Sequence, residues 1–219
     1  MYRTTLITFA DEKFEERRNH SIQNMSHLYD GYKNYGPSDI DKNFIKDNIE
    51  IYSCYRGFGY WIWKPYIILD FLSKCDDDMI VVYCDSGDTI HEDTIFKMKK
   101  ELESKDFMFI ESNHKNYTFT KRDCFVLMDC DNEKYWNHNQ IYSSTSFWKK
   151  TNKSLEFLEE WQSYCKNYNV VSDAPNICGK ENLEGFIDHR HDQSILTNLV
   201  IKYSLKTRKE IIVNPWIIK

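Results

Sequence analysis

Apolar β-branched runs alternate with amphipathic stretches along the first half of the chain. "TTLITFA" (4–10) reads as a buried strand. "DEKFEERRNHSIQNMSHLYDGY" (11–32) follows with Phe14, Ile22, Met25 and Leu28 close to helical spacing and acids at its start. "GPSDIDKN" supplies a turn, with Ser38 as the expected cap. Residues 55–72 change character midway: a loop with two glycines leads into a helix whose first turn takes Pro65. "MIVVYCD" (79–85) predicts a second central strand, "HEDTIFKMKKELESK" a helix and "FMFIES" a third strand.

Further on, Thr120 and Asp123 have the spacing of a capping box for "KRDCFVLM". "QIYSSTSFWK" predicts a strand, and "TNKSLEFLEEWQSYCKNY" a helix with Leu155, Leu158, Trp161 and Cys165 on one stripe. A polar loop (172–192), the helix "QSILTNLVIKYSL" and a short strand "KEIIV" complete the series. No repeat, linker or low-complexity segment interrupts it. The expectation is one α/β domain over 1–219, which could also be the N-terminal domain of a longer protein.

Composition narrows the class. The chain is 41% hydrophobic and 29% charged with only 7 Gly and 4 Pro, which fits a packed core rather than disorder. Lys and Arg total 29 against 34 Asp and Glu, a formal charge of −5, so nucleic acid is not the expected partner. Seven scattered cysteines lack any Cys-x-x-Cys pair, which argues against a zinc site or a disulfide framework and for a reducing, cytoplasmic setting. The N-terminus reads as a strand and a charged helix rather than a signal peptide. The most apolar window, "YWIWKPYIILDFL", is broken by Lys64, Pro65 and Asp70, so no membrane span is expected.

Three stretches carry candidate chemistry. "VVYCDSGDTI" (81–90) runs a strand into Asp85, Ser86, Gly87 and Asp88. Asp-Ser-Gly is ordinary turn chemistry, yet open α/β sheets bind ligands beyond their strands' carboxyl ends, where carboxylates suit a hard dication. "DHRHDQS" (188–194) gathers Asp188, His189, His191 and Asp192 before an apolar helix, where Asp192 serves either as a cap or as a working carboxylate. "RGFGYWIWKP" flanks an aromatic, glycine-bearing loop with Arg56 and Lys64, a cation pair suited to a diphosphate near a helix start.

Taken in order over about 140 residues, "GFGYWIWKPYII", "VVYCDSGD" and "GFIDHRHDQSIL", with "FTKRDCFVLM" and "QIYSSTSFW" between the last two, resemble small GT-A-fold glycosyltransferases of polysaccharide gene clusters and large DNA viruses. The resemblance implies a Rossmann-like α/β domain with a central, mostly parallel sheet flanked by helices. It implies a nucleotide-sugar donor, with UDP the expected nucleotide, and a glycan or oligosaccharide acceptor. Thr8, Phe9 and Ala10 would meet the nucleoside, and Arg56 and Lys64 would add contacts to the diphosphate. Asp85 would hold Mn²⁺ or Mg²⁺ against the diphosphate, with Asp88 the candidate second ligand, while Ser86 and Gly87 would contact the nucleotide-sugar. The chain departs from the family's D-x-D pattern, because position 87 is Gly and the next acid is Asp88; His191 or His189 is then a further candidate ligand. For inverting transfer Asp192 is the candidate base and Asp188 the second choice. Asp129, Asp131 and Gln140 are assigned to the acceptor side by their order along the chain.

Two rival readings use the same residues. A metal-dependent phosphodiesterase or other hydrolase would direct water at the same acids, but needs more carboxylates than this stretch displays. A carbohydrate-binding module would explain the aromatics, though not the carboxylate and histidine clusters at element ends.

Overall fold

The computed structural model describes residues 2–209. The strands are β1 (Arg3–Phe9), β2 (Gly31–Tyr35), β3 (Met79–Cys84), β4 (Phe107–Lys115) and β5 (Asn139–Lys149). They form one sheet in the order β2-β1-β3-β5-β4. β1 pairs parallel with β2 and β3, while β5 opposes both β3 and β4, so four strands point one way and β5 the other. The α/β class and the mostly parallel central sheet expected from sequence are what the chain forms.

The helices are α1 (Glu15–Met25), α2 (Lys42–Asp47), α3 (Ile49–Tyr52), the short turn α4 (Gly57–Tyr60), α5 (Trp63–Lys74), α6 (Glu92–Leu102), α7 (Arg122–Leu127), α8 (Glu133–Trp136), α9 (Asn152–Cys165), α10 (Tyr168–Val171) and α11 (His191–Lys202). Strand alternation splits the core in two. Leu6, Ile80 and Val82 face α1 and α6, packing with Ile22, Met25, Ile95 and Met98. Ile7, Val81 and Tyr83 face the other way, onto Ile67, Ile68, Trp161, Leu196 and Leu199 of α5, α9 and α11. Burial on both faces is why these strands read as unbroken apolar runs.

Several local expectations are corrected. The first helix ends at Met25, and residues 31–35 are instead the edge strand β2, whose Tyr32 and Lys33 face solvent. Ser38 lies inside a 3₁₀ turn; Asp41 caps α2, accepting from the N–H groups of Asn43 and Phe44. Thr120 and Asp123 form no capping box. The Thr120 hydroxyl donates to Asn116 Oδ1, and Asp123 accepts the N–H groups of Ile177 and Cys178, fastening the 172–190 loop to α7. The strand expected at 209–213 falls, from residue 210 on, outside the described residues. No helix among the described residues is long and apolar enough to cross a membrane.

Candidate active site

The site grows from the carboxyl end of β3. Tyr83 and Asp85 are two positions apart and so share the sheet face that carries α5 and α11. The Tyr83 hydroxyl donates to Asp85 Oδ1. Both helices begin at this edge, α5 presenting Lys64 and α11 presenting Asp192 as second residues. Lys64, only 1% exposed, places its Nζ 3.1 Å from Asp85 Oδ1 and 3.3 Å from Asp192 Oδ2, and donates to Ser143 Oγ at 3.2 Å. α9 steadies the start of α11, because Trp161 Nε1 donates to the Asp192 carbonyl at 3.0 Å.

One ammonium stands between two carboxylates, of which Asp192 is buried and Asp85 is partly open to the cavities. Burial works against the charged form of Lys64, but Asp192 and Asp85 outweigh it and hold the group protonated. Burial pushes Asp192 up to about 6, Lys64 pulling it down and Asp85 adding to the rise. Asp192 is therefore ionised near neutrality yet receptive to a proton, the condition a general base requires.

Two cavities meet at Asp85. The larger, about 450 Å³, lies over the ends of β1 and β3, between Phe9, Ala10, Arg56, Phe58, Trp61 and Asp85. The smaller, about 170 Å³, is bounded by Lys64, Asp85, Ser143, His191, Asp192 and Gln193. Trp61 and Arg56 line both.

Those two residues bracket the turn α4. Its hand is reversed: φ is 60° at Gly57, 51° at Phe58, 82° at Gly59 and 53° at Tyr60, with Trp61 following at 60°. Glycine is required at position 57, where a Cβ would stand 2.4 Å from the Trp61 indole. The three non-glycine residues each cost about 1–2 kcal/mol in this conformation. Ring contacts offset that cost. Phe58 packs on Phe9 and edge-on to Tyr52, with centroids 5.9 and 5.2 Å apart. Tyr60 and Trp61 stack on His191, itself at φ 45°, with centroids 4.7 and 5.4 Å away.

The residues singled out from sequence divide accordingly. Phe9, Ala10, Arg56, Asp85 and Ser86 line the larger cavity, whereas Thr8 is buried in β1 and Gly87, at φ 101°, serves the turn. Asp88 is buried and borders neither cavity. Burial, and then the Asp85 charge, push its carboxyl up to about 7. Arg56 pairs with Asp188 at 2.5 Å and Asp173 at 3.1 Å. The Arg56 hydrogen bond holds Asp188 below the usual carboxylate range, which makes it a poorer base than Asp192.

His189 uses both ring nitrogens inside the protein: Nδ1 accepts the Lys121 N–H at 3.3 Å and Nε2 faces the Val170 carbonyl at 2.9 Å. That leaves it no lone pair for a metal. The acceptor-side assignment also fails on position. Gln140 is fully buried, bonded to Gln193, Thr120 and Ser194; Asp131 is held by Arg122 and Lys180; Asp129 sits in an exposed turn at φ 56°. None of the three borders these cavities. Tyr83 was not singled out from sequence although its two-residue spacing from Asp85 signals it; Ser143 and Tyr60 carry no such signal.

Among the described residues no three His, Cys, Asp or Glu side chains gather in a metal-binding group. The donor set fits a dication only in the sparse form that magnesium tolerates, one carboxylate with phosphate oxygens completing the shell. Asp85, its side chain 32% exposed, is the carboxylate positioned for it.

Because folded Asp88 titrates near 7 rather than near 3.8, the native state binds the extra proton. The contribution of this group to stability is then fully present below about pH 4 and is lost as pH rises through 7, by an amount on the order of a few kcal/mol. Asp88→Asn is expected to remove that loss, stabilising the protein at pH 8 and changing little at pH 4. Urea unfolding at the two pH values checks it, and an equal effect at both would exclude titration as the cause.

An open, mostly parallel sheet with its cavities at the carboxyl ends of β1 and β3 is the arrangement of nucleotide-binding α/β folds. No family model matches the sequence, and no curated protein does. Solved structures do. The bifunctional glycosyltransferase WbbM superposes with a TM-score of 0.51 at 9% identity over 94% of this chain. The chain spans 38% of WbbM's length. Mouse xyloside xylosyltransferase 1 gives 0.47 at 8% identity, covering 95% of this chain and 84% of that one. A glycosyltransferase involved in glycosylation of the major capsid of PBCV-1 gives 0.40 at 12%, covering 85% and 81%. The likeness to WbbM is one of fold.

Proposed function

We propose that this chain is a GT-A-type glycosyltransferase moving a sugar from a nucleoside-diphosphate donor, with UDP the expected nucleotide, to a glycan hydroxyl with inversion. The observation that carries the reading is the Asp85–Lys64–Asp192 cluster standing between two cavities at the sheet's carboxyl edge. In this reading the nucleoside lies in the 450 Å³ cavity against Phe9 and Ala10, and the diphosphate reaches toward Asp85 and Arg56.

Asp192 takes the proton of the acceptor hydroxyl as that oxygen attacks the anomeric carbon. The bond from that carbon to the diphosphate oxygen breaks, and its electron pair leaves with the nucleoside diphosphate. Lys64 and Arg56 lower the cost of the developing negative charge. Mn²⁺ or Mg²⁺, when bound, would rest on Asp85 and the donor's phosphate oxygens and supply further charge neutralisation.

Thermal unfolding with nucleoside diphosphates and their sugars, each with and without Mn²⁺, tests this. A ligand at 100 times its Kd stabilises by about 2.7 kcal/mol, which reads as a rise of several degrees. One nucleotide is expected to act, more strongly with metal, and Asp85→Asn is expected to abolish the metal-dependent part. No rise with any nucleotide in the wild type would count against the donor site.

A further inference from the structure

Asp85 is the carboxylate positioned for a dication, yet it already has a cation. Lys64 Nζ stands 3.1 Å from its Oδ1, and the Tyr83 hydroxyl donates to the same oxygen. Oδ2 accepts no hydrogen bond from a described residue, and the side chain is 32% exposed. Asp85 therefore offers one open oxygen, and its charge is already countered.

The ammonium that counters it is anchored. A surface lysine swings aside on a flexible stem, but Lys64 is 1% exposed. Its Nζ also reaches Asp192 Oδ2 at 3.3 Å, donates to Ser143 Oγ at 3.2 Å and lies 5.2 Å from the centre of the Tyr83 ring. Withdrawing it from Asp85 would break every one of these contacts in a buried place and strand the Asp192 carboxylate.

The consequence is electrostatic. An ammonium a few ångströms from a dication repels it even at the dielectric of water, and more where water is excluded. No three-membered group of metal-binding side chains among the described residues makes up for that repulsion. A diphosphate in the 450 Å³ cavity, which Asp85 also lines, would bring several negative charges against one ammonium, and phosphate oxygens to complete a metal's shell.

We propose that Lys64 is the resident counterion of Asp85: it keeps this carboxylate closed to a free dication and leaves it open to one that arrives with a diphosphate. Donor and metal then enter together, and the nucleotide-free protein takes up little metal. The inference rests on the donor-site reading for its diphosphate; the pairing of Lys64 with Asp85 stands on the geometry alone.

Mn²⁺ binding to the full chain, followed by loss of the free-ion EPR signal, tests this without any turnover. Lys64→Met is expected to bind Mn²⁺ alone at least about tenfold more tightly than the wild type, the effect of removing one charge beside a dication. The double variant Lys64→Met/Asp192→Asn removes one positive and one negative charge, so the formal charge of the trio is unchanged. It should gain affinity as well, because Asp85 has lost its partner, and it carries the test if Lys64→Met does not fold. Adding Asp85→Asn to either variant should erase the gain. Equal affinity in the wild type and a folded variant, a gain seen in Lys64→Met but absent from the double variant, or a gain that survives Asp85→Asn would each overturn the proposal. The wild type gives a reading that depends on no variant: UDP, with the Mn²⁺ it holds in solution subtracted, is expected to tighten Mn²⁺ binding at least about tenfold. Tight Mn²⁺ binding by the nucleotide-free wild type, equal to that of the UDP-loaded protein, would overturn the proposal. Failure of both UDP and GDP to bind, with the variants ordered as expected for Mn²⁺ alone, would count against the donor site and keep Lys64 as the counterion.

Discussion

Lys64→Met is expected to destabilise the protein by about 3–5 kcal/mol, lowering the melting temperature by roughly 10 °C, because it strands two carboxylates around a vacated cation position. Methionine keeps the length of the stem, so the loss reports charge rather than volume. Removing one carboxylate at the same time should return part of it. The double variant Lys64→Met/Asp192→Asn is expected to be more stable than the sum of its singles by more than about 1 kcal/mol, since the groups lie within 3.3 Å and share one network. Thermal and urea unfolding of the four proteins measure this coupling. A Lys64→Met protein within about 1 kcal/mol of the wild type would mean that water already reaches the cluster.

Asp192→Asn is expected to lower the transfer rate by about 10²–10⁴-fold while leaving nucleotide binding in place, the loss proper to a general base. The pH dependence gives a sharper reading. Asp192 is pushed up to about 6, so the wild-type rate should rise tenfold per pH unit below that value and level off above it. The variant should lack the rising limb. Initial rates of nucleoside diphosphate release between pH 5 and 8 decide it; normal transfer by the variant would remove Asp192 from the reaction and turn attention to His191, which lines the same cavity.

What was legible in the chain follows from what each residue's neighbours in sequence can report. β1 and β3 were plain because both their faces are buried. Asp85 and Asp192 were legible as carboxylates at the end of a strand and the start of a helix. The edge strand β2 was not, since "GYKNY" is mostly polar and its pairing with β1 is with a partner far off in sequence. Lys64 was read as a cation for a diphosphate; its burial depends on α5 and α11 beginning at one sheet edge, which is tertiary information. The acceptor-side residues failed for a related reason. β5 runs against β3, bringing Ser143 and Ser144 to the Asp85 edge and carrying Gln140 beyond it into the core under α11. Nothing in "QIYSSTSFWK" states that direction.

The reversed turn at residues 57–61 bears on the order in which the molecule acquires its shape. Its backbone is unfavourable alone and is held by rings from Tyr52, near in sequence, and from Phe9 and His191, which are distant and very distant. Contacts closing so long a loop form late on a folding route, after the sheet that brings the partners together. The two walls that Trp61 contributes to the neighbouring cavities are thus expected to arise only once α11 has docked. A chain halted before that step would carry a native sheet and lack the finished cavities beside Asp85, so recovery of ligand binding after dilution from denaturant should lag behind recovery of secondary structure.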